Sequence, residues 1–536
     1  MKKKLISMFL AVGMTAALFT GCGSEEADAP AQGGDSQQAD STGDENGEGQ
    51  QEGQDQAEGD EDMAEITVGW MTMAVLDSSA TDAVEDAINA ITEEKINTHV
   101  DIQFFDPNTY ATQIPMMIQG GEQLDLIMYT PVPGAGYASF KNQGQLMEIG
   151  SLLEQYAPDV LTMLGDLVGG TSTSEGIYGV SDYRDLSGSY YIIMRKDTLE
   201  ELNLTEKANS MSTWTEFEEI LTEVAAGTEL VPIVNCDGQG TVISAVPYFL
   251  GDDSFAKNSG FDTLGDTFGL ITVDPDTDQV QCYYMTEEYQ QMMQRVRDWY
   301  QKGLVYKDAA TNEEMGDNMI KNDVAFCVAE NGELGVENLK ETAIGKELVI
   351  KKVTDNQITT GTVTKFGFCV PVTAKEPEAA VKFLNLLYTD EQVVSTMAWG
   401  VEGRDWVRTD DGMADYPEGV TADTVAYHTA DFLNGNQFIT IPWAGDANDI
   451  RQQQKTSLEN SPISKYLGFA FDQSEVQNEI TACFNVSEQY KKGLAAGSMD
   501  YEVTYSEFTA ALEAAGIDKI VAAYQEQLNA WLEAQR

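Results

Sequence analysis

Ile66-Thr67-Val68-Gly69-Trp70, then Thr81 to Lys95, then His99 to Phe105 form an apolar run, a stretch with Val84, Ile88 and Ile91 at helical spacing, and a second extended run. A two-residue period giving way to a 3.6-residue one and back predicts strand, helix, strand. A helical stretch from about Tyr110 to Ile118, interrupted by Pro115, leads through Gly120-Gly121-Glu122-Gln123-Leu124-Asp125 into a third apolar strand, Leu126 to Tyr129. Strands alternating with helices imply a mainly parallel sheet and an α/β fold.

The pattern continues downstream. Thr286 is placed to cap a helix whose Tyr289, Met292, Met293, Val296, Trp299 and Tyr300 make one apolar stripe, ended by Gly303. Pro377 opens another helix, Thr389 with Gln392 has capping-box spacing for the next, and that one ends before Gly400. Ile520, Val521, Tyr524, Leu528, Trp531 and Leu532 lay a final helix against the body. About 470 residues follow the amino-terminal segment, more than one core serves, so two lobes are expected.

Upstream, Lys2 to Lys4 precede an apolar run, Leu5 to Leu18, too short for a permanent membrane span; it reads as a secretory signal peptide, residues 1–21. Phe19-Thr20-Gly21-Cys22 resembles the lipobox at which bacteria attach diacylglycerol, with Phe19 departing from the usual aliphatic residue. Cys22 is therefore the expected lipidation site, and residues 22–64 the linker behind it. From Gly23 to Ala64 there are fourteen acidic residues, no basic residue and no aromatic one. Such a segment buries too little apolar surface to fold, and self-repulsion extends it to roughly 140 Å at about 3.3 Å per residue.

The whole chain carries 89 acidic and 31 basic residues, a formal charge of −58. Nucleic acid and anionic lipid surfaces are poor partners for it. After Cys22 the cysteines are Cys236, Cys282, Cys327, Cys369 and Cys483, an odd number with no metal-binding spacing and no disulfide framework. Cys327 and Cys369 sit in strand-like apolar runs as small buried residues.

Chemistry is thin. His99 and His428 are the only histidines, too few for a histidine-based metal site or a nucleophile and base set. Gly134-x-Gly136 lacks a third glycine at Ser139, and no phosphate loop or Gly-x-Ser-x-Gly turn is present. Asp274, Asp276 and Asp278 open like a calcium loop, but Gln279 holds the glycine position and Met285 that of the closing glutamate; Val273 to Val280 reads as a polar hairpin turn. No cofactor and no metal is implied. With so many carboxylates a pair at glycosidase spacing stays open on sequence alone, but binding is favoured over catalysis.

In order along the chain, Tyr110 through Gly121-Glu122-Gln123-Leu124-Asp125-Leu126-Ile127, Gly176-Ile177-Tyr178-Gly179-Val180 and Thr213-Trp214-Thr215-Glu216-Phe217 resemble the extracellular solute-binding proteins of ABC importers. Trp399-Gly400-Val401-Glu402-Gly403-Arg404-Asp405-Trp406 resembles a turn of that family's large lipoprotein branch. The stretch from Gly468-Phe469-Ala470-Phe471-Asp472 to Trp531 is similar to a C-terminal domain of unknown function attached to it. The resemblance implies a two-lobe, clam-shell fold of the periplasmic-binding-protein kind, with a hinge crossing near Gly179 to Arg184 and a return near Thr360 to Gly367. One lobe would take residues 65–181 with about 360–445, the other 182–359 with about 446–536. It also implies a monomer, lipid-anchored on the extracytoplasmic face of the cell membrane, that hands a small solute to ABC permease subunits. The solute is read first as an oligosaccharide; peptide or another polar solute is the alternative, and a surface sensor or adhesion lipoprotein the alternative of another class.

In open α/β sheets ligands lie beyond the carboxyl ends of strands. That singles out Trp70, Tyr129 and Thr130, then Asp182, Tyr183 and Arg184 after the crossing, then Tyr248, Glu330 and Asn331, and the late Trp443. Aromatic faces beside charged groups suit a sugar, whose C–H faces pack on rings while its hydroxyls donate and accept hydrogen bonds. For each aromatic the alternative is packing beneath a loop; for Arg184 it is pairing with Asp182 or Asp185. Glu402 and Arg404 are expected to form an ion pair shaping their turn.

Overall fold

A computed structural model describes residues 62–186, 189–237, 240–243, 253–255, 262–354 and 357–535. The expected signal peptide, Cys22, the expected linker up to Glu61, and Tyr248 lie outside them. The strand Ala64–Met71 pairs in parallel with Thr98–Phe105 on one side and Leu126–Tyr129 on the other. Beyond Leu126–Tyr129 the sheet adds Gly367–Cys369 and then Val180–Ser181, both antiparallel to their neighbours. Only the strands joined by helical crossovers run parallel; the last two arrive from remote parts of the chain and add edge to edge.

Local chemistry sets the helices. Asp77 caps Ser78–Ile96 by accepting the Ala80 N–H, and Val84, Ile88 and Ile91 are buried beneath it. The next helix does not break at Pro115: it runs unbroken from Pro107 to Gly120. Asp106 caps its start, Pro107 fits the first turn, and Tyr110, Ile114 and Ile118 bury one face, which outweighs the single hydrogen bond that Pro115 removes. The helix after Pro377–Thr389 is capped by Asp390, not Thr389; the Asp390 carboxylate accepts the Gln392 and Val393 N–H groups while Thr389 closes the preceding helix. Thr286 caps Glu287–Gln301 as expected.

A second sheet has the order Leu348–Lys352, Ser189–Arg195, Ala325–Gly332, Val231–Ile233. Its first two pairings are antiparallel and only the last is parallel, so the mainly parallel expectation fails here. Each sheet has its own apolar core, and the second continues into the helices Gln477–Ala495, Tyr501–Ala515 and Ile517–Ala534 through Cys483, Phe508, Tyr524 and Leu528. Asp274 faces Gln279 across a hairpin, as its polar turn implied. The five described cysteines are free.

The chain leaves the first sheet after Ser181 to begin the second at Ser189, and returns between Lys352 and Gly367. These connections are held by late parts of the sequence. Tyr183 N–H donates to Gly435 O at 2.8 Å and Gln437 N–H to Tyr183 O at 3.0 Å. Ile358 N–H donates to Pro462 O, Ser464 N–H to Ile358 O, and the Thr360 hydroxyl to Tyr466 O. Asp182 N–H donates to Phe366 O and joins the two connections. Gly367 has to be glycine, because a Cβ there would run into Val180 O and the Tyr129 hydroxyl.

Candidate functional site

A cleft of about 650 Å³ is lined by the second-sheet strand end Glu330–Gly332, by Met73 and Pro131 from the loops that follow first-sheet strands, and by the connecting and late segments, a volume within the usual range of roughly 300–1,000 Å³ for small-ligand sites. One part of the lining is aromatic. Trp399, the last residue of its helix, is fixed by donating its indole N–H to Ile441 O at 2.8 Å. Trp443 lies 5.0 Å from it, ring centre to ring centre, with Tyr416 and His428 4.8 and 4.5 Å from Trp443. Two tight segments support the cluster. Asp405 accepts the Val401 N–H and the Arg404 side chain to hold the turn after Trp399, while Ala414 N–H donates to Pro442 O and Ala444 N–H to Ala414 O on either side of Trp443. The expected Glu402–Arg404 pair does not form: Arg404 bonds to the buried Asp405, and Glu402 lies 3.9 Å from Arg408. Burial pushes the His428 imidazole down to about 4, so near neutrality it is an uncharged ring carrying polar nitrogens.

Another part of the lining is charged. Arg184 lies against the paired rings of Phe366 and Phe432, 5.6 and 5.8 Å from its guanidinium carbon and 5.8 Å from each other, and 3.9 Å from the Glu333 carboxylate. Gln437 donates to Glu333 at 3.0 Å. Burial raises the Glu333 carboxyl to about 7 against the pull of Arg184. Lys365, crowded by surrounding protein and beside Arg184, has its ammonium pushed down to about 8. Along the wall Lys340 pairs with Glu330 and, at 2.7 Å, with Asp317; Arg451 pairs with Asp431 at 2.6 Å.

Of the residues singled out from sequence, Arg184, Glu330, Asn331 and Trp443 line the cleft. Trp70, Tyr129, Thr130, Asp182 and Tyr183 do not. Trp70 is 1 % exposed and packs on Phe368 at 5.3 Å, and Tyr129 is buried with its hydroxyl donating to Val363 O. Both are packed against the returning segment, Trp70 on the Phe368 ring and Tyr129 on the Val363 carbonyl. Thr130 is buried, its N–H bonded to Ala135 O. Asp182 is buried and accepts the Gly435 N–H at 3.1 Å, while Tyr183 packs edge-on against Phe438 at 4.9 Å. Arg184 takes Glu333 as its ion-pair partner, not Asp182 or Asp185. Trp399, Tyr416, His428, Glu333, Lys365 and Gln437 were not singled out; of these only Trp399 stood in a motif.

Among the described residues no group of three or more His, Cys, Asp and Glu is placed to hold a metal ion, and no helix is long and apolar enough to cross a membrane. Residues 77–394 match the model of the bacterial extracellular solute-binding protein family, and residues 465–533 match a domain of unknown function. A carbohydrate ABC transporter substrate-binding protein of Streptococcus pneumoniae is 22 % identical over 455 residues, covering 83 % of this chain and 87 % of that one. Among solved structures, the N-glycan transport solute-binding protein of S. pneumoniae superposes with a TM-score of 0.76 at 19 % identity, over 88 % of this chain and 100 % of that one. An extracellular solute-binding protein of Bifidobacterium longum subsp. infantis has a TM-score of 0.58 at 15 % identity, over 87 % and 98 %.

Proposed function

The chain belongs to the bacterial extracellular solute-binding proteins, and from that premise we propose that it captures an oligosaccharide in the cleft and delivers it to the permease of an ABC importer. Its family binds solutes and does not transform them. The observation that carries the sugar is the platform of Trp399, Tyr416, His428 and Trp443. Tyr416 and His428 are partly exposed on it, backed by Trp399 and Trp443 at 5 and 9 % exposure, so it offers ring surface for C–H packing together with polar ring atoms. The S. pneumoniae N-glycan relative was solved with Man1GlcNAc and with Man5GlcNAc, and a further structural relative with kestose, which supports the same class.

The two sheets would move as lobes, 65–181 with about 360–445 against 182–359 with about 446–536, about the connections after Ser181 and before Gly367. Closure is a two-state shift biased by contacts that the solute makes to both sides. We assign Cys22 as the lipid anchor of a monomer on the extracytoplasmic membrane face, with residues 22–64 as its spacer.

The test is a thermal-shift screen of the full chain against Man1GlcNAc, Man5GlcNAc, kestose and oligouronates, with oligopeptides alongside. A ligand at a hundred times its Kd adds about 2.7 kcal/mol to the folded state. Stabilisation by a glycan series supports the proposal. Stabilisation by peptides alone overturns the sugar, and silence across the panel favours a sensor or adhesion role.

A further inference from the structure

The charged part of the cleft lining shares no residue with the aromatic platform and has a polar character of its own. Arg184 Nε, Glu333 Oε2 and Gln437 Oε1 are buried and lack a hydrogen-bond partner among the described residues. All three belong to one cluster: Glu333 Oε2 lies 3.9 Å from an Arg184 terminal nitrogen, and Gln437 reaches Glu333 Oε1 at 3.0 Å. The Arg184 side chain is about nine-tenths buried, pinned by the Phe366 and Phe432 rings and by a 3.4 Å bond from its NH1 to Asp185 O. Lys365 lines the same part, its ammonium 5.7 Å from the Phe366 ring centre and in no ion pair among the described residues. The other two cleft cations, Lys340 and Arg451, are bound to Asp317, Glu330 and Asp431.

A buried polar atom without a partner costs about 1–3 kcal/mol, so three together need an account. Their signs are mixed. Arg184 Nε and the Lys365 ammonium can only donate and Gln437 Oε1 can only accept, whereas Glu333 Oε2 accepts when ionised and donates when protonated. With Glu333 ionised, as it is above about pH 7, an anionic ligand group would satisfy the donors, leave both acceptors unpaired, and face Glu333 with Asp185 and Asp431 behind it. A cationic group would reverse the mismatch. A hydroxyl accepts and donates through one oxygen, and two neighbouring hydroxyls match two donors and two acceptors at once.

Building on the carbohydrate proposal above, we infer that Arg184, Glu333, Gln437 and Lys365 form a hydroxyl-recognition subsite. It takes adjacent unsubstituted hydroxyls of one sugar unit while another unit lies on the aromatic platform, so the solute is a neutral oligosaccharide of at least two units. Glu333 and Gln437 set specificity here; the platform sets affinity for ring faces.

The experiment is calorimetric titration of the full chain with Man1GlcNAc, Man5GlcNAc, kestose and oligouronates, repeated on Glu333→Gln, Gln437→Met and Tyr416→Ala. Each subsite variant is expected to weaken a neutral glycan at least tenfold; Gln437→Met also removes the amide that bonds Glu333 and Asp431, and Glu333→Gln the charge that Arg184 faces, so both also lower the melting temperature somewhat and the deoxy analogues separate recognition from stability. On the unaltered protein, monodeoxy analogues of the tightest glycan test the same contacts without any mutation. One or two positions on a single unit are expected to lose a hundredfold or more, since sites built to bond a hydroxyl reject its absence strongly. If glycans bind, Tyr416→Ala weakens them, but both subsite variants and all deoxy analogues bind like the parents, the subsite falls and the carbohydrate proposal stands. Oligouronates binding more tightly than neutral glycans also overturn the subsite. No glycan binding to the unaltered protein overturns the carbohydrate proposal and the subsite with it.

Discussion

Replacing Asp182 by asparagine should change how stability depends on pH, by an amount set by this residue's surroundings. Asp182 has no exposed surface, and its carboxylate receives one backbone N–H, from Gly435, while Oδ2 has no partner among the described residues. Burial raises the carboxyl from about 3.8 to about 7, more than Arg184 and Gly435 pull it down. A carboxyl whose folded value is raised is favourable while protonated, and that benefit is lost as pH climbs from the unfolded value through the folded one. About three pH units at 1.36 kcal/mol each give about 4 kcal/mol between pH 4 and pH 8. An asparagine side chain in its place would keep the Gly435 bond and carry no charge, so it lacks this loss. Relative to the parent, Asp182→Asn should be near neutral at pH 4 and gain about 4 kcal/mol by pH 8, on the order of ten degrees in the melting temperature. Melting curves of both proteins at half-unit pH steps measure it. Glu333 titrates in the same window but is common to both proteins, so it cancels in the difference. A difference that stays constant from pH 4 to pH 8 refutes the assignment of Asp182 as a desolvated, high-value carboxyl.

Three further outcomes are expected. Tyr416→Ala removes a half-buried ring from the platform and should weaken glycan binding about tenfold by calorimetry, with melting within a few degrees of the parent, since a ring contact contributes roughly 0.5–1.5 kcal/mol; unchanged affinity would remove the platform from the site. Asp125→Ala deprives the Thr67, Lys375 and Glu376 N–H groups and the Gln123 amide of one buried acceptor. It should lower unfolding free energy by about 3 kcal/mol or more in urea with an unchanged slope, and a loss below about 1 kcal/mol would contradict this bonding. Gly468→Val forces a β-branched residue to φ near +91° with its Cβ 2.8 Å from Gly169 O; about 1–3 kcal/mol of strain should appear as a lower melting temperature, and an unchanged one would show that this approach is loose.

What could be read from the residues alone was local and periodic. Ile66 to Trp70, the helix after it and Leu126 to Tyr129 declare themselves because each pattern is completed within one element. Caps were legible to within a residue: Thr389 and Asp390 both carry the right oxygen, and only the backbone decides between them. The failures came from remote pieces of chain. Trp70 and Tyr129 end their strands as a ligand-binding residue would, yet Gly367–Cys369, more than two hundred residues later, adds beside Leu126–Tyr129 and packs against those rings. Nothing near Trp70 announces that contact. The platform was mostly missed for the same reason. Trp399, Tyr416, His428 and Trp443 come from a helix end and irregular loops without a shared period, held together by contacts such as Ala414 with Pro442 that no spacing encodes.

Two of the cleft residues are set by the backbone that joins the two sheets. The backbone bonds between Tyr183 and residues 435–437 put Arg184 one step beyond Tyr183 and Gln437 two steps beyond Gly435 into the same part of the cleft. Glu333 comes from the other direction, directly after the second-sheet strand that ends at Gly332, and Lys365 from the returning connection. A ligand that satisfies Arg184 and Glu333 together therefore ties the connecting backbone to the second sheet, while its other end rests on Trp399 and Trp443. In the closure proposed above, that is the differential contact a two-state shift requires: the group satisfying the unpaired atoms would be the same one that bridges the two lobes. Long-range charge has little part in this. A chain with a formal charge of −58 offers no attraction to an acidic solute at a distance, and inside the cleft Arg184, Lys340 and Arg451 each face a carboxylate of the protein itself. Selection rests on short, directional hydrogen bonds, which do not depend on the net charge of the protein.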